Sequence, residues 1–325
     1  MTKTAASVSP DTVTLLGPQR FQRTLGDVLA SRGIDGPVAV ITAGWQEREH
    51  DDAELRDHLG GRALNLELHT RTDRIFDRDP EFAEAHHARQ ATLKAMQELY
   101  DLRLGHVMEG ARQLMKRRGD LNVLGPERLE AVEDVRGLDR RHLERIRVVH
   151  AEFEQRWNPG LRPVVMAERN EVEQMIQRAS AVAIAGGHVA VLLNRLRMFD
   201  IARLSRGKPV IAWAAGAMAI AERVILFYDD PPHGPGNAEV LDEGLGLVTN
   251  VVPLPHAGTR LKLDDAARVA LFARRFFPAV PVTLDPGARL DWRDGRVVSV
   301  PDAGFSGPRH VFRLGSDGDV SEVTA

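Results

Sequence analysis

The chain of 325 residues contains no cysteine. This absence excludes disulfide bonds, thiolate metal sites and a cysteine nucleophile, and it favours an intracellular compartment. The chain also lacks a large excess of charge of one sign. It has 43 Lys and Arg and 46 Asp and Glu, which gives a formal net charge of −3. Nothing in this balance steers the protein towards nucleic acid or an anionic membrane surface. We expect neither of them as a partner.

Long apolar runs are missing as well. No stretch reaches the length that a helix needs to cross a bilayer, and the first residues, "MTKTAASVSPDTVTLLG", lack the apolar core of a signal peptide. We therefore expect a cytoplasmic protein. Two cofactor signatures are also absent, since the sequence has neither the G-x-G-x-x-G spacing of a dinucleotide site nor a Walker-type phosphate loop. We expect no cofactor.

Short apolar, β-branched runs alternate with amphipathic stretches, which predicts strands joined by helices in a parallel sheet. The runs "TVTLL", "PVAVITAG" and "ALNLEL" are predicted strands, and "FQRTLGDVLASRG" is a predicted helix that ends at Gly33. Further along, "AVAIAGG", "HVAVLLNRLRMFDIARLSRG" and "KPVIAW" predict a strand, a helix and a strand. We therefore predict a single α/β domain over 11–325, with a doubly wound, mostly parallel sheet flanked by helices.

Segment 77–160 interrupts this alternation. It is rich in Arg, Glu, Leu and His and nearly free of β-branched runs, so we predict two or three long helices in an inserted helical subdomain. Its basic stretches are interleaved with acidic residues, which favours a solvated face or a dimer contact over a binding site. Its stretch "AHHARQATLKAMQ" resembles no metal motif. Because its apolar stripe has to be buried, we expect this segment to form a homodimer or to bind a protein partner.

The C-terminal part changes character again. The stretches "VPVTLD", "ARLDWRDGRVVSV" and "RHVFRL" alternate between apolar and polar residues and are separated by turn residues. This pattern predicts short antiparallel strands, with "RDG" as a hairpin turn.

The stretch "KPVIAWAAGAM" has the steric profile of a nucleophile elbow. Such an elbow follows a buried strand and opens a helix, and small residues surround it because the backbone of the nucleophile is strained. Ala214 stands at the turn, with Ala212 and Gly216 two positions away on either side. The stretch by itself fits an ordinary strand-to-helix turn with close packing as well.

Four stretches follow one another along the chain in an order that is informative. They are the double glycine of "AIAGGH", the turn "AWAAG", the strand and histidine of "EGLGLVTNVVPLPHAG", and "LDPGARL". Together they resemble the cyanophycinase and aspartyl dipeptidase (peptidase E) group of serine peptidases. The resemblance implies a class I glutamine amidotransferase-like, flavodoxin-like fold. It covers Ala181 to about Val300 well and the first strands weakly, and it does not extend to the helical segment.

The resemblance implies a role for each matching residue. Ala214 takes the position of the nucleophilic serine, His256 that of the general base, and Asp229 or Asp230 that of the acidic triad partner. Backbone N–H groups near Gly187 and of Ala215 would form the oxyanion hole. The further implied ligand-binding residues are Gly186, His188, Arg260 and Lys262. The last two would bind a substrate carboxylate, and the backbone N–H of His188 would bind an anion or carbonyl unless the residue only caps its helix.

Two departures from the family pattern bear on activity. Alanine has no lone pair with which to attack, and Pro286 stands where the family has glutamate. A serine peptidase that loses its nucleophile slows by about a million-fold. We therefore expect a catalytically degenerate protein that binds a peptide- or amino-acid-like ligand or a protein partner.

The alternative is an active hydrolase that works without the serine. In this hypothesis His256 and an acidic residue activate water in the same pocket, or a metal ion near Asp229, Asp230 and His233 does so. No metal-ligand spacing in the sequence supports the metal version, so we predict no metal.

Overall fold

A computed structural model describes residues 12–229, 236–293, 295–298 and 310–323. The strands are β1 Val13–Leu16, β2 Val38–Ile41, β3 Ala63–Asn65, β4 Ala181–Ile184, β5 Val210–Trp213, β6 Arg223–Leu226, β7 Glu239–Glu243, β8 Val251–Pro255, β9 Val280–Leu284, β10 Arg289–Arg293, β11 Arg296–Val298, β12 Phe312–Leu314 and β13 Val320–Glu322. The α-helices are α1 Leu25–Ser31, α2 Ala53–His58, α3 Leu68–Arg78, α4 Pro80–Lys116, α5 Leu121–Trp157, α6 Pro163–Arg178, α7 Val189–Met198, α8 Ile201–Leu204, α9 Ala215–Ile220, α10 Ala257–Arg260 and α11 Ala266–Phe276.

The largest sheet has seven strands in the order β11-β10-β1-β5-β4-β2-β3. Strands β1, β5, β4, β2 and β3 run parallel, whereas β10 and β11 extend the β1 edge in antiparallel fashion. A second sheet has the order β13-β12-β9-β8, and β6 pairs with β7. The carboxyl ends of β1, β5, β4 and β2 therefore meet at one edge, which is where ligands bind in open α/β sheets.

Both faces of the parallel sheet are buried. In β2, Val38 and Val40 join the core that includes α1, whereas Ala39 and Ile41 join the core on the opposite face. Residues of β4 and β5 alternate in the same way. Burial on both faces explains why these strands are continuous apolar runs. The predicted α/β class, with a mostly parallel sheet flanked by helices, is confirmed.

The helix predicted over 188–207 is interrupted. Asp200 has φ 51° and separates α7 from α8. A left-handed residue breaks the helical hydrogen-bond ladder, and the apolar periodicity does not reveal it because both pieces bury the same face.

Two helices of 37 residues each, α4 and α5, occupy most of segment 77–160. They pack against each other, and we call Pro80–Trp157 the helical hairpin. Part of its apolar surface is buried within the chain, whereas Leu99, Leu102 and Leu129 stay exposed. Residues such as Leu104, Met108 and Leu138 belong to a core that they share with α11 and β7 of the same chain. A dimer or protein partner stays a prediction.

A buried polar cluster joins the helical hairpin to the rest of the fold. Arg275 of α11 donates to both carboxylate oxygens of Asp139, at 2.7 and 2.8 Å, and to the Tyr100 hydroxyl at 2.9 Å. Tyr100 in turn donates to Asp139 at 2.8 Å and accepts from the Val240 backbone at 3.2 Å. The residues that contribute side chains to the cluster, Tyr100, Asp139 and Arg275, are at most 3% exposed. The cluster therefore couples α4, α5, α11 and β7.

The C-terminal strands follow the prediction in part. β10 and β11 form the predicted antiparallel hairpin, although Asp294 of the "RDG" turn lies outside the described residues. β9 is different: it pairs in parallel with β8 and antiparallel with β12. The reason is that α11 lies between β8 and β9 in the chain and allows a parallel crossover. Within the described part of the chain, no helix is both long and apolar enough to cross a membrane.

The Asp139→Asn substitution should destabilise the fold strongly. It leaves the Arg275 charge buried without its counter-ion, which typically costs about 3–5 kcal/mol. Chemical denaturation measures this change. Glu54→Gln provides the control, because it breaks the exposed Arg23–Glu54 pair and should cost less than about 1 kcal/mol. Equal effects of the two substitutions would contradict the structural role of the cluster.

His86 of α4 is a buried histidine in an aromatic environment. It is 3% exposed, and its ring centroid lies 5.0 Å from that of Phe76 and 6.3 Å from that of Phe153. Burial, followed by the charges of Arg89 and Arg195, lowers the pKa of His86 to about 2. The folded protein therefore keeps this ring neutral at pH values at which the unfolded chain protonates it.

We expect His86 to make the folded state less stable in acid. The pKa of His86 is lower in the folded state than in the unfolded chain, where it is 6.5. The contribution of neutral His86 to the free energy of unfolding is therefore complete above pH 6.5 and is lost as the pH falls below 6.5. Between pH 7 and pH 5 the loss should be about 2 kcal/mol. Denaturation at both pH values should show a smaller loss in His86→Phe. His106→Gln, at an exposed position of α4, should keep the full loss.

Candidate functional site

Ala214 forms a sharp turn between β5 and α9. Its backbone has φ 50° and ψ −124°, and Ala215 is the first residue of the helix. Strand β5 lies between β1 and β4, and the Ala214 N–H donates to the Leu16 carbonyl at 3.4 Å. A positive φ at alanine is strained and persists only where the surrounding structure enforces it. The turn therefore has the backbone form of a nucleophile elbow.

The double glycine packs directly against this turn. A Cβ on Gly186 would lie 2.8 Å from the Ala214 Cβ and 3.1 Å from the Ala215 nitrogen, so only glycine fits. Gly187 has φ 118° and is exposed. The N–H of Ala215 lies in the first turn of α9 and has no intrahelical acceptor. The structure thus brings together the backbone segments that the resemblance assigns to an oxyanion hole.

His188 caps helix α7. Its Nδ1 accepts a hydrogen bond from the Val191 N–H at 3.3 Å, and its own N–H donates to the Gly44 carbonyl at 2.7 Å. The expectation that this N–H binds an anion or a carbonyl is therefore wrong, because a neighbouring loop already uses it. The capping alternative agrees with the structure.

His256 follows β8 and is half-buried at the same edge of the fold. It has φ 60°, and its N–H donates to the Leu284 carbonyl at 3.3 Å. The register pairs Pro255 with Leu284, so His256 and Asp285 are the next residues of adjacent parallel strands. Burial and the charge of Arg260 lower the pKa of His256, whereas Asp285 raises it. The ring is therefore neutral near pH 7 and able to accept a proton.

Gly17 lies between the turn at Ala214 and Asp285, the neighbour of His256 in register. It follows β1, whose Leu16 pairs with Trp213, and so lies beside Ala214 in register. A Cβ on Gly17 would lie 1.9 Å from the Asp285 carbonyl oxygen. The Asp285 carboxylate in turn accepts from the Gly258 N–H at 3.1 and 3.3 Å. Ala214, Asp285 and His256 therefore share one edge of the structure.

Asp229 is engaged elsewhere. Its carboxylate accepts from Arg268 at 3.0 and 2.6 Å and from the Lys262 N–H at 2.8 Å. Among the described residues, the carboxylate that acts on the His256 ring is Asp285 instead. Asp230 lies outside the described residues. The assignment of Asp229 or Asp230 as the acidic partner stays a prediction.

Arg260 and Lys262 are exposed and follow His256 on α10 and just beyond it. The Arg260 carbonyl accepts from the Asp229 N–H at 2.8 Å, which anchors this loop. Their role towards a substrate carboxylate stays a prediction. In residues 12–229 and the other described ranges, no group of His, Asp and Glu has a geometry suited to a metal ion, and His233 lies outside those ranges.

Sequence reasoning missed two residues of this edge. Asp285 was part of the family-like stretch "LDPGARL" but received no role, although it directly follows a buried strand, as site residues often do. Gly17 ends the first strand, and nothing in its neighbourhood in the sequence indicates that Asp285 touches it. The contact between Gly17 and Asp285 joins residues more than 250 positions apart, and Asp285 lies beside His256 only through the register of β8 and β9.

Two comparisons with known proteins find similarity to peptidases. The model of peptidase family S51, the family of peptidase E and the cyanophycinases, matches residues 141–298. A solved structure described as a peptidase from an acI-B1 Actinobacterium is similar with a TM-score of 0.47 and 15% identity, over 98% of this chain and 96% of that one. No curated protein matches the chain. The matched segment includes the elbow, His256 and Asp285.

Removing the Cβ at the turn should stabilise the protein. Ala214→Gly relieves a positive φ that costs an L-residue about 1–3 kcal/mol. Glycine also raises the conformational entropy of the unfolded chain, which offsets only part of this gain in the free energy of unfolding. We expect a net gain of about 1 kcal/mol by chemical denaturation. Ala217→Gly makes the same chemical change inside α9 and should destabilise instead. A loss at both positions would contradict strain at Ala214.

Proposed function

We propose that this protein is a catalytically degenerate relative of the S51 peptidases. It keeps the elbow of a serine hydrolase without the nucleophile and binds a peptide- or amino-acid-like ligand, or a peptide segment of a protein partner, at the strand ends. The observation that carries this proposal is Ala214 at φ 50° and ψ −124°, a strained elbow conformation in a residue with no hydroxyl.

The surroundings of Ala214 support ligand binding without catalysis. Ala214 and Ala215 are partly accessible to solvent, and Gly187 beside them is exposed. The N–H groups of an oxyanion hole belong to the backbone, so they do not depend on the lost serine. A carbonyl group bound at this turn would accept from them. Arg260 and Lys262 supply positive charge on the His256 side for a ligand carboxylate.

A second function, hydrolysis by activated water, is favoured by one observation. His256 is neutral near pH 7 because burial and Arg260 lower its pKa, and Asp285 lies beside it in register. A neutral imidazole that faces a carboxylate is the arrangement of a general base. In this alternative His256 removes a proton from water, and the water oxygen attacks the carbonyl carbon held at the elbow. The C–N bond of the resulting tetrahedral intermediate then breaks, and His256 returns the proton to the leaving amine.

The Ala214→Ser variant distinguishes the two functions. Purified unmodified chain and variant are assayed against aspartyl dipeptides and against a β-linked Asp–Arg dipeptide. We expect hydrolysis in the variant only, because the serine regains an elbow, a base and backbone donors, and such a nucleophile is worth up to about a million-fold in rate. Turnover by the unmodified chain would instead support the activated-water alternative.

Two controls make the assay specific. Ala214→Gly changes the same position without adding a nucleophile and should stay inactive. His256→Ala in the Ala214→Ser background should abolish the regained activity, because the serine then lacks its base. Activity that survives the loss of His256 would contradict the site as we propose it, and absence of hydrolysis in Ala214→Ser would show that the geometry at Ala214 no longer supports catalysis.

A further inference from the structure

The loop that follows β2, residues 42–49, lies at the same edge of the sheet as the elbow, and we call it the β2 loop. Strand β2 pairs with β4, and β4 pairs with β5, so the end of β2 is two strands away from Ala214, about 10 Å. The Gly44 carbonyl accepts from the His188 N–H at 2.7 Å, and a Cβ on Gly44 would lie 2.6 Å from the Gly186 carbonyl oxygen. The β2 loop is therefore packed directly against the double glycine of the elbow site.

Gln46 in the β2 loop has the backbone conformation of the elbow. Its φ is 58° and its ψ is −127°, compared with 50° and −124° at Ala214. Glu67 and Asp200 also have a positive φ, but their ψ values of 44° and 41° place them in the left-handed helical region, which L-residues adopt more readily. Strained residues cluster at active sites and in segments that hold ligands. The strain at Gln46 therefore marks the β2 loop as a candidate part of the site.

Hydrogen bonds on both sides of Gln46 hold this conformation in place. The Trp45 N–H donates to the Thr42 carbonyl at 2.8 Å, and the Glu49 N–H donates to the Gln46 carbonyl at 2.8 Å. The buried Glu49 carboxylate then accepts from two N–H groups in the first turn of α3, at 3.0 and 2.9 Å. The surrounding backbone thus enforces the strained conformation, as such strain requires.

The side chain of Gln46 makes no hydrogen bond within the part of the chain that the structure describes, and it is partly accessible to solvent. Glycine would adopt the same backbone without a steric cost, so the fold itself does not call for glutamine here. A primary amide carries one acceptor oxygen and two N–H donors. These groups complement the N–H and the carbonyl of a peptide bond.

The distance between Gln46 and the elbow fits a short peptide. Two residues of an extended chain span about 7 Å, and the Gln46 side chain covers the remainder of the distance to Ala214. His256 lies on the β1 side of the elbow, whereas Gln46 lies on the β4 side. The two residues therefore approach a ligand from opposite sides.

We propose that Gln46 is a specificity-determining residue of the elbow site and recognises the amide group of a peptide-like ligand. This inference rests on the proposed function and names the ligand class more closely. The Gln46 side-chain oxygen accepts from the peptide N–H of the ligand, and its NH₂ group donates to a ligand carbonyl. The backbone donors at Ala214 and Gly187 bind any carbonyl, so Gln46 supplies the preference for a peptide over an analogue without the N–H.

The probes are aspartyl-leucine and the β-linked Asp–Arg dipeptide, each with its ketomethylene analogue, in which CH₂ replaces the peptide N–H. Calorimetry with the full unmodified chain should show saturable binding of at least one dipeptide. Its analogue should bind at least about tenfold more weakly, because the Gln46 oxygen then loses its donor.

Matched variants assign this preference to Gln46. Gln46→Met keeps the length of the side chain and should bind the dipeptide at least about tenfold more weakly, with no preference over the analogue. Gln155→Met, at an exposed position of α5, should behave like the unmodified chain. If the unmodified chain binds a dipeptide and Gln46→Met keeps the preference for it, the inference is wrong and the proposed function stands. If neither dipeptide binds saturably, the proposed function fails and the inference fails with it.

Gln46→Gly tests the strain separately. Glycine relieves the positive φ, so the midpoint of chemical denaturation should rise, while the affinity for the dipeptide should fall as in Gln46→Met. A residue with a purely structural role would not combine these two changes. A lower midpoint would contradict the strain on which the inference is built.

Discussion

Close backbone packing at the carboxyl edge of the sheet is the constraint on which the rest of the site depends. Gly186 lies against Ala214 and Gly17 lies against Asp285 with no room for a Cβ atom. This packing holds the turn at Ala214 in a strained conformation and keeps β5, β1 and β9 in fixed relation. The turn has the backbone form of a nucleophile elbow, although residue 214 carries no hydroxyl.

The buried Arg275 guanidinium has a comparable role for the helical hairpin. Its bonds to Asp139 and Tyr100 attach two long helices to α11 and β7, and part of the apolar surface of the hairpin is buried in this way. Other apolar side chains of the two helices, including Leu99, Leu102 and Leu129, stay exposed.

Much of the fold could be predicted because local patterns determine it. Strands buried on both faces are apolar runs, and helices that bury one face repeat every three to four residues, so β1 to β5 and the two long helices were predictable. The break at Asp200 and the parallel pairing of β9 were not, since a left-handed residue and a crossover leave the apolar pattern unchanged. The sequence left two roles for His188, helix capping and anion binding, and the hydrogen bond from its N–H to the Gly44 carbonyl depends on a contact between distant segments.

The sequence by itself determined what chemistry is missing: it has no cysteine, and alanine stands at position 214 within an elbow-like stretch. Side-chain identity is a local property, and no folding can supply a hydroxyl. Only the tertiary structure decided which charges meet, with Asp229 bound to Arg268 and Asp285 beside His256. These pairings depend on strand register and helix packing between segments far apart in the chain, and composition and spacing carry no record of them.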